Sequence, residues 1–327
     1  MLSLLALSCP QCSAPLPRAA RWRTVNCGYC GATITRGEET VERESFRAAL
    51  LRANAQSGRG GRVVQWRGAR YRVLAPLGTG EHSEVLFAER LGALPERVTL
   101  KLARESSDND VLVREGAVLQ SLQGLSVPGA AYFTRRLPQP VGTGIAEGLG
   151  DGRRQALVLR HPTGFWGSLL DVQQANPQGI DARHAIWIWR RMLEVLAFVH
   201  GAGWAHRDLS PAHALVHPRD HGVLIIGWSQ ARQASGSAQA AAAARDLAQA
   251  AWTVRALLHG GAAGGEPGLG AHTPAPLAAL LRQCSEDAAL CERLGAQGIE
   301  QALSTASRES FGPPQFVHFD PAPCIGA

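Results

Sequence analysis

The stretch HRDLSPAHALV occupies residues 206–216 and is the most specific string in the chain. It follows the segment 181–200, where apolar residues recur at helical spacing, so the pattern predicts an amphipathic helix there. The closing Ala-Leu-Val run predicts a strand. Asp208 therefore lies on a loop between a predicted helix and a predicted strand.

A single lysine stands upstream of this string. Of the 33 basic residues, 32 are arginine and one is Lys101, which lies in a predicted strand that includes Val98-Thr-Leu-Lys. A position that keeps lysine where arginine is used everywhere else indicates a need for a compact ammonium group. The next predicted helix, 110–123, carries Glu115, an acid that can pair with Lys101.

Glycines precede this strand. Gly78 and Gly80 lie in the sequence GTGEHSEV (78–85), between a predicted strand at 71–77 and another at 84–89. Glycines allow backbone amides to approach a phosphate chain closely, although a glycine-bearing hairpin has the same pattern. We further predict strands at 63–70, 97–102 and 155–159, and helices at 238–259 and 276–303. Strands first and helices afterwards indicate an α+β body.

Taken together, these motifs resemble the protein-kinase-like superfamily over about residues 63–303. The resemblance implies a two-lobed kinase-like domain at 63–308, with an N-lobe at 63–160 and a C-lobe at 161–308. It implies that ATP is a ligand, held at the glycine turn by Gly78, Gly80 and Val85.

The same resemblance assigns roles to three charged residues. Lys101 would hold the α- and β-phosphates and pair with Glu115, and Asp208 would orient an acceptor hydroxyl. Asp246 is similar to the family's aspartate that braces the catalytic loop.

Two departures from the family pattern affect magnesium. The family binds its metal with an aspartate and an asparagine, and this chain has Gly227 and His213 at those places. Glycine has no ligand atom, and imidazole suits a hard cation poorly. The third loop glycine is replaced by Ser83 and the catalytic-loop lysine by Ser210. The segment after Ser229 is short and lacks an A-P-E motif. This pattern is typical of a pseudokinase, with phosphoryl transfer weak or absent and magnesium dependence in doubt.

The N-terminal region carries a separate signal. Cys9, Cys12, Cys27 and Cys30 form two Cys-x-x-Cys knuckles, a spacing that suits four thiolates around a structural zinc ion. We predict a zinc ribbon at 1–37, a helical and glycine-rich linker at 38–62, and a disordered tail at 309–327.

Composition limits the remaining choices. The chain has 327 residues, 45% of them hydrophobic, with a net charge of +6. This is enough apolar material for a sizeable core and about two domains. The basic excess is small and scattered, which does not favour nucleic acid as a partner, and no apolar run suits a membrane helix. We expect a cytoplasmic protein whose partners are a nucleotide and proteins of a signalling pathway.

Three alternatives stay open. Residues 206–231 also resemble small-molecule phosphotransferases, and an atypical active Ser/Thr kinase could recruit Asp220 or Asp208 for magnesium. The zinc ribbon could itself be the working part, as a protein-binding adaptor. His213, His217 and His221 recur every four residues, but they fall on a loop, a strand and a turn, which favours ordinary turn and surface histidines over a metal site.

Overall fold

The computed structural model describes residues 14, 24–27, 29, 33–35, 62–92, 96–147, 153–258, 269 and 272–322. Two compact units are present. One contains the antiparallel hairpin of β1 (Thr24–Asn26) and β2 (Thr33–Thr35) together with Pro313–Phe319. In this unit the Tyr29 hydroxyl donates to the Gln315 carbonyl over 2.7 Å, and the Tyr29 ring meets Phe316 edge to face.

The second unit begins with a closed six-stranded barrel, in the strand order β3-β4-β5-β6-β8-β7. Its strands are β3 (Val63–Trp66), β4 (Ala69–Thr79), β5 (Ser83–Arg90), β6 (Glu96–Ala103), β7 (Pro140–Glu147) and β8 (Arg154–Arg160). One face of these strands forms the barrel core, which includes Leu86, Leu100 and Val158. Because side chains alternate along a strand, Thr99 and Lys101 lie on the opposite face.

The register places Lys101 between two apolar neighbours. It is paired with Val85 of β5 on one side and with Leu157 of β8 on the other. The helix α1 (Asn109–Gln123) packs on β7 and β8 and is anchored by the buried side chains of Leu112, Leu119 and Leu122. The short helix α2 (Ala130–Phe133) follows it.

The rest of this unit is mainly helical. Its helices are α3 (Leu169–Ala175), α4 (Ala182–Gly201), α5 (Gly236–Leu258), α6 (Ala275–Glu286) and α7 (Ala288–Phe311). Helix α4 is central, since it packs against both α5 and α7 and buries one full face, including Ile188, Met192 and Leu196.

Two small antiparallel sheets flank the loop at residues 206–210. β11 (Ala214–His217) lies between β9 (Gly167–Ser168) and β12 (Gly222–Ile225), while β10 (Trp204–Ala205) pairs with β13 (Arg232–Gln233). Residues 206–210 therefore leave β10 and turn into β11 through the short 3-10 turn Pro211–His213.

The structure differs from the sequence expectations in several elements. The single helix expected at 276–303 is two helices, because Asp287 leaves the helical conformation and its carboxylate accepts a hydrogen bond from Leu290 N at the start of α7. Within α7, Gly295 introduces a kink. Strand β7 was not predicted, and neither were the short helices α2 and α3 or the two-residue strands β9, β10 and β13. Within the described ranges no helix has both the length and the apolar character needed to cross a membrane.

Candidate functional site

The first part of the candidate site is the ion pair between Lys101 and Glu115. The ammonium of Lys101 on β6 donates to the carboxylate of Glu115 on α1. The Lys101 side chain is 16% exposed and that of Glu115 is 3% exposed. A carboxylate buried this deeply requires a charged partner, so the pair fixes α1 against the barrel.

The glycine turn lies at the end of the hairpin formed by β4 and β5. Gly80 N donates to the Ser83 carbonyl over 2.8 Å, which closes a tight turn around Glu81 and His82. His82 Nδ1 lies 2.8 Å from Asp108 Oδ1, just before α1, and this hydrogen bond lowers the pKa of Asp108. The turn is therefore tied to the start of the helix that carries Glu115.

The loop 206–210 is held by the buried carboxylate of Asp246 on α5. It accepts hydrogen bonds from the backbone N–H groups of His206 and Arg207, both at 2.7 Å, and lies 2.9 Å from His200 Nε2. Arg207 has a φ of 72°, a left-handed conformation that is costly for a residue with a Cβ. Asp246 thus stabilises a strained loop, and the Asp208 side chain stays half exposed.

The imidazole of His206 is fully buried, and its partners define its proton position. Its Nε2 lies 2.9 Å from the Ile226 carbonyl, which can only accept, while its Nδ1 accepts from Asp208 N over 3.2 Å. Burial lowers the pKa of His206, an effect that the charge of Asp246 partly opposes. The neutral ring therefore links the loop to Ile226, the residue directly after β12.

His213 and Gly227 meet directly. A Cβ built on Gly227 would lie 2.6 Å from Cδ2 and 2.9 Å from Nε2 of His213, closer than real Cβ contacts. His213 Nδ1 lies 2.5 Å from the Asp208 carbonyl and therefore carries the proton. Gly227 itself has a φ of 79°. The imidazole fills the space that any side chain at position 227 would enter.

Trp228 connects this region to α1. It is fully buried, its Nε1–H donates to the Ile225 carbonyl over 2.8 Å, and its ring meets the edge of His206 at a centroid distance of 4.6 Å. The short turn Trp228–Gln230 packs against α1. The structure thereby connects the Glu115 helix with the loop that carries Asp208.

Two supporting residues were missed by the sequence reasoning. His200 lies in the last turn of helix α4 and reaches Asp246, and Gln249, one helical turn after Asp246, accepts from Leu209 N over 3.1 Å. The spacing of three between Asp246 and Gln249 places both on one face of α5, but only the fold shows that this face meets the loop.

The cysteines predicted to bind zinc lie mostly outside the described residues, which include only Cys27, buried directly after β1. Among the described residues, no three or more His, Cys, Asp or Glu side chains are grouped to hold a metal ion. The histidines at four-residue spacing have separate neighbours: His217 meets the Phe165 ring and His221 stacks on Trp187.

Comparison with known proteins identifies the fold. No family model matches the sequence, and no curated protein matches it. Among solved structures, the chain is similar to the crystal structure of a kinase domain, with a TM-score of 0.50 and 13% sequence identity. The match covers 63% of this chain and 68% of that one. The expectation of a mixed strand-and-helix, kinase-like fold is confirmed at that level.

Proposed function

We propose that this chain is a nucleotide-binding pseudokinase that acts as a regulatory switch or scaffold. The observation that carries the proposal is that the Lys101–Glu115 pair is formed while the places of two metal ligands hold Gly227 and the ring of His213. The ammonium offers positive charge to phosphates, whereas glycine and imidazole offer no oxygen to magnesium.

The loss of both metal ligands argues against efficient phosphoryl transfer. This reaction depends on positioning and on neutralising the charge of the transferred group. If the metal clamp supplies several kcal/mol, its loss slows the reaction about 10²–10⁴-fold, because each tenfold change corresponds to about 1.4 kcal/mol. In this proposal the barrel and the helical part are two lobes, and the nucleotide lies between them beneath Gly78, Gly80 and Val85.

The test is calorimetric titration of ATP, first with magnesium and then with a chelator that prefers hard cations. We expect similar affinity in both conditions. Lys101→Ala should weaken binding about 10- to 100-fold, since a hydrogen bond to a charged group contributes about 1.5–3 kcal/mol. Arg104→Ala is the matched control, because Arg104 is an exposed cation just past the end of the same strand. Unchanged affinity in Lys101→Ala would rule the proposal out.

An active phosphotransferase is the second candidate. It is favoured by Asp208, whose side chain is 50% exposed and is not the group that braces the loop. Asp220, a candidate magnesium ligand, lies in the turn between β11 and β12 with its carboxylate 3.5 Å from His217 Nε2. ADP formation in the presence of protein or small hydroxyl acceptors, lost in Asp208→Ala, would favour this candidate over the pseudokinase.

A third candidate function involves the N-terminal cysteines. We propose that Cys9, Cys12, Cys27 and Cys30 bind a structural zinc ion and that the ribbon they form binds a protein partner in the cytoplasm. Four thiolate ligands leave no open position for a substrate, which argues for a structural and not a catalytic ion. Loss of partner capture by the full chain carrying Cys27→Ser, with nucleotide affinity retained, would support this role.

A further inference from the structure

The segment that follows α7 belongs to the compact unit that contains the hairpin of β1 and β2. Helix α7 ends at Phe311, and Pro313–Phe319, called here the resident segment, is part of that unit. It contains no helix or strand and begins with two prolines. Because proline restricts the backbone to an extended range, such a segment loses little conformational freedom when it binds to a surface.

Tyr29 makes two different contacts with the resident segment. Its hydroxyl donates to the Gln315 carbonyl over 2.7 Å, and its ring meets Phe316 edge to face, with ring centroids 5.7 Å apart and planes at 89°. One contact involves the backbone of the segment, and the other involves a side chain. Tyr29 and Gln315 are 286 residues apart, so these contacts do not follow from local chain geometry.

Contacts of this kind are typical of surfaces that bind extended peptides. Proline-rich peptides dock on surfaces lined by aromatic side chains, and a tyrosine offers both a ring and a hydroxyl donor. The resident segment shows which ligand chemistry suits Tyr29. Two prolines precede the bound carbonyl, Phe316 follows it directly, and Phe319, three residues further, is buried.

The resident segment is held loosely enough to be exchanged. Tyr29 remains 37% exposed, and within the segment only Phe319 is fully buried. A neutral hydrogen bond or an aromatic pair changes a binding equilibrium by about 2- to 10-fold. The chain is also fixed just beyond the segment, where Asn176 Nδ2 donates to the Pro321 carbonyl over 2.9 Å. Covalent attachment at both ends gives the segment an effective concentration on the order of millimolar, which favours it over a free peptide.

We propose that Tyr29 belongs to a peptide-docking surface, that Pro313–Phe319 is its resident occupant, and that a protein partner presents an extended Pro-Pro-x-Phe-x-x-Phe segment that competes for it. The proposal deepens the docking role proposed above for the N-terminal cysteines, and it rests on that role for the existence of a partner. Because the surface is already occupied, the apparent affinity of the partner is reduced by the fraction of chains in which the resident segment is bound.

A labelled peptide tests this competition on the full chain. The probe is a fluorescein-labelled peptide of residues 312–320, GPPQFVHFD, followed by fluorescence anisotropy. Phe316→Ala weakens the resident segment and leaves Tyr29 in place, so the peptide should bind this variant about 2- to 10-fold more tightly than wild type. Phe311→Ala is the matched control, because Phe311 is an exposed phenylalanine just before the segment, and it should leave the affinity unchanged.

Two further changes assign the gain to Tyr29. Tyr29→Phe, added to Phe316→Ala, removes the hydroxyl and keeps the ring, and should weaken peptide binding about 2- to 10-fold. A peptide with alanine in place of its first phenylalanine should lose a similar factor. Equal binding of the peptide to wild type and to Phe316→Ala, or no binding to either, would overturn the proposal. A gain that Tyr29→Phe leaves unchanged would overturn it as well.

The zinc content of the same samples separates this inference from the ribbon proposal. A chain that contains zinc but shows no gain in Phe316→Ala contradicts the docking surface alone. A chain that lacks zinc but shows the gain contradicts the zinc ribbon and leaves the docking surface supported, because the contacts of Tyr29 involve no metal ligand.

Discussion

Gly227 lies against the imidazole of His213, so closely that a Cβ at Gly227 would come within 3.0 Å of the ring atom Cγ. The two positions are therefore sterically coupled. A side chain at position 227 requires a smaller or redirected residue at 213, and the two departures from the kinase pattern belong to one packing arrangement.

The first prediction concerns this coupling. Gly227→Asp should destabilise the fold by about 2–5 kcal/mol, from about 1–2 for the left-handed backbone and about 1–3 for the clash. Adding His213→Asn should remove the clash and leave the backbone cost. Urea unfolding measures both values. We also expect the double variant to bind ATP more tightly with magnesium than without it, because it restores two oxygen ligands.

Gly236→Ala is the control for that experiment. Gly236 also has a positive φ, 60°, but open space around its Cβ position. It should therefore show only the backbone cost of about 1–2 kcal/mol. Equal losses in Gly236→Ala and Gly227→Asp would argue against steric coupling.

The second prediction concerns the buried ion pair. Lys101→Met should cost about 3–5 kcal/mol in the free energy of unfolding, because it leaves the Glu115 carboxylate buried without its partner. Lys101→Met combined with Glu115→Leu should recover most of that loss, since an apolar pair of similar volume needs no compensating charge. Additive losses in this cycle would show that the pair does not couple the two residues.

The third prediction concerns Asp246. Asp246→Ala should destabilise the protein by at least about 3 kcal/mol, because two backbone N–H groups and His200 lose a buried acceptor. Thermal unfolding of Asp246→Ala and Asp220→Asn provides the comparison. Asp220 is 59% exposed, and its substitution should stay within about 0.5 kcal/mol of wild type. A comparable effect of the two substitutions would contradict the bracing role.

The fourth prediction is a loss of stability between pH 7.5 and 5.5. Burial, with a further contribution from Arg97, lowers the pKa of His161, and burial also lowers that of His206. Below the ordinary value of 6.5, the unfolded chain binds protons at these histidines that the folded chain does not. The free energy of unfolding should therefore fall as the pH falls, by up to about 1.4 kcal/mol per unit of pKa difference.

Urea titrations at several pH values check this slope, and His161→Gln should make it shallower. The carboxylate of Glu84 does not contribute to this slope. Burial raises the pKa of Glu84, but its hydrogen bonds from Arg62 and Arg154 outweigh that effect, so its pKa is lowered from 4.5. Its contribution is lost only as the pH falls below that value. An unchanged slope in His161→Gln would exclude a role for this residue.

The fifth prediction is a single zinc ion per chain. Four thiolates at Cys9, Cys12, Cys27 and Cys30 should retain zinc through purification, as elemental mass spectrometry can measure. Cys27→Ser should lose the metal, while Cys324→Ser should keep it. Zinc retained by Cys27→Ser would show that this cysteine is not a ligand.

The sequence predicted best the features that depend on neighbouring residues. Alternation defined the strands around Lys101, and helical spacing placed Glu115 on a helix directly after it. Strand β7 was missed because Pro140, Gly142 and Gly144 are typical of a loop. In the fold, a Cβ atom at Gly142 or Gly144 would lie only 3.0–3.3 Å from the Trp66 ring or the Arg67 side chain. These glycines therefore allow close packing across the barrel.

Features that depend on distant residues could not be predicted. Asp246 and His200 are 46 residues apart, and their contact follows from the packing of α4 against α5. The meeting of His213 with Gly227 is likewise a product of tertiary structure. The break at Asp287 was hidden because the apolar pattern continues on both sides of it.

The presence of a single lysine limits how this chain can be covalently modified. Lysine acetylation, lysine methylation and ubiquitin attachment to lysine all use the side-chain amine, and among these 327 residues only Lys101 offers one. That amine is engaged with Glu115 and is largely enclosed. Modification of Lys101 would therefore break its ion pair with Glu115. Any regulation of this chain through lysine modification would change the candidate site at the same time.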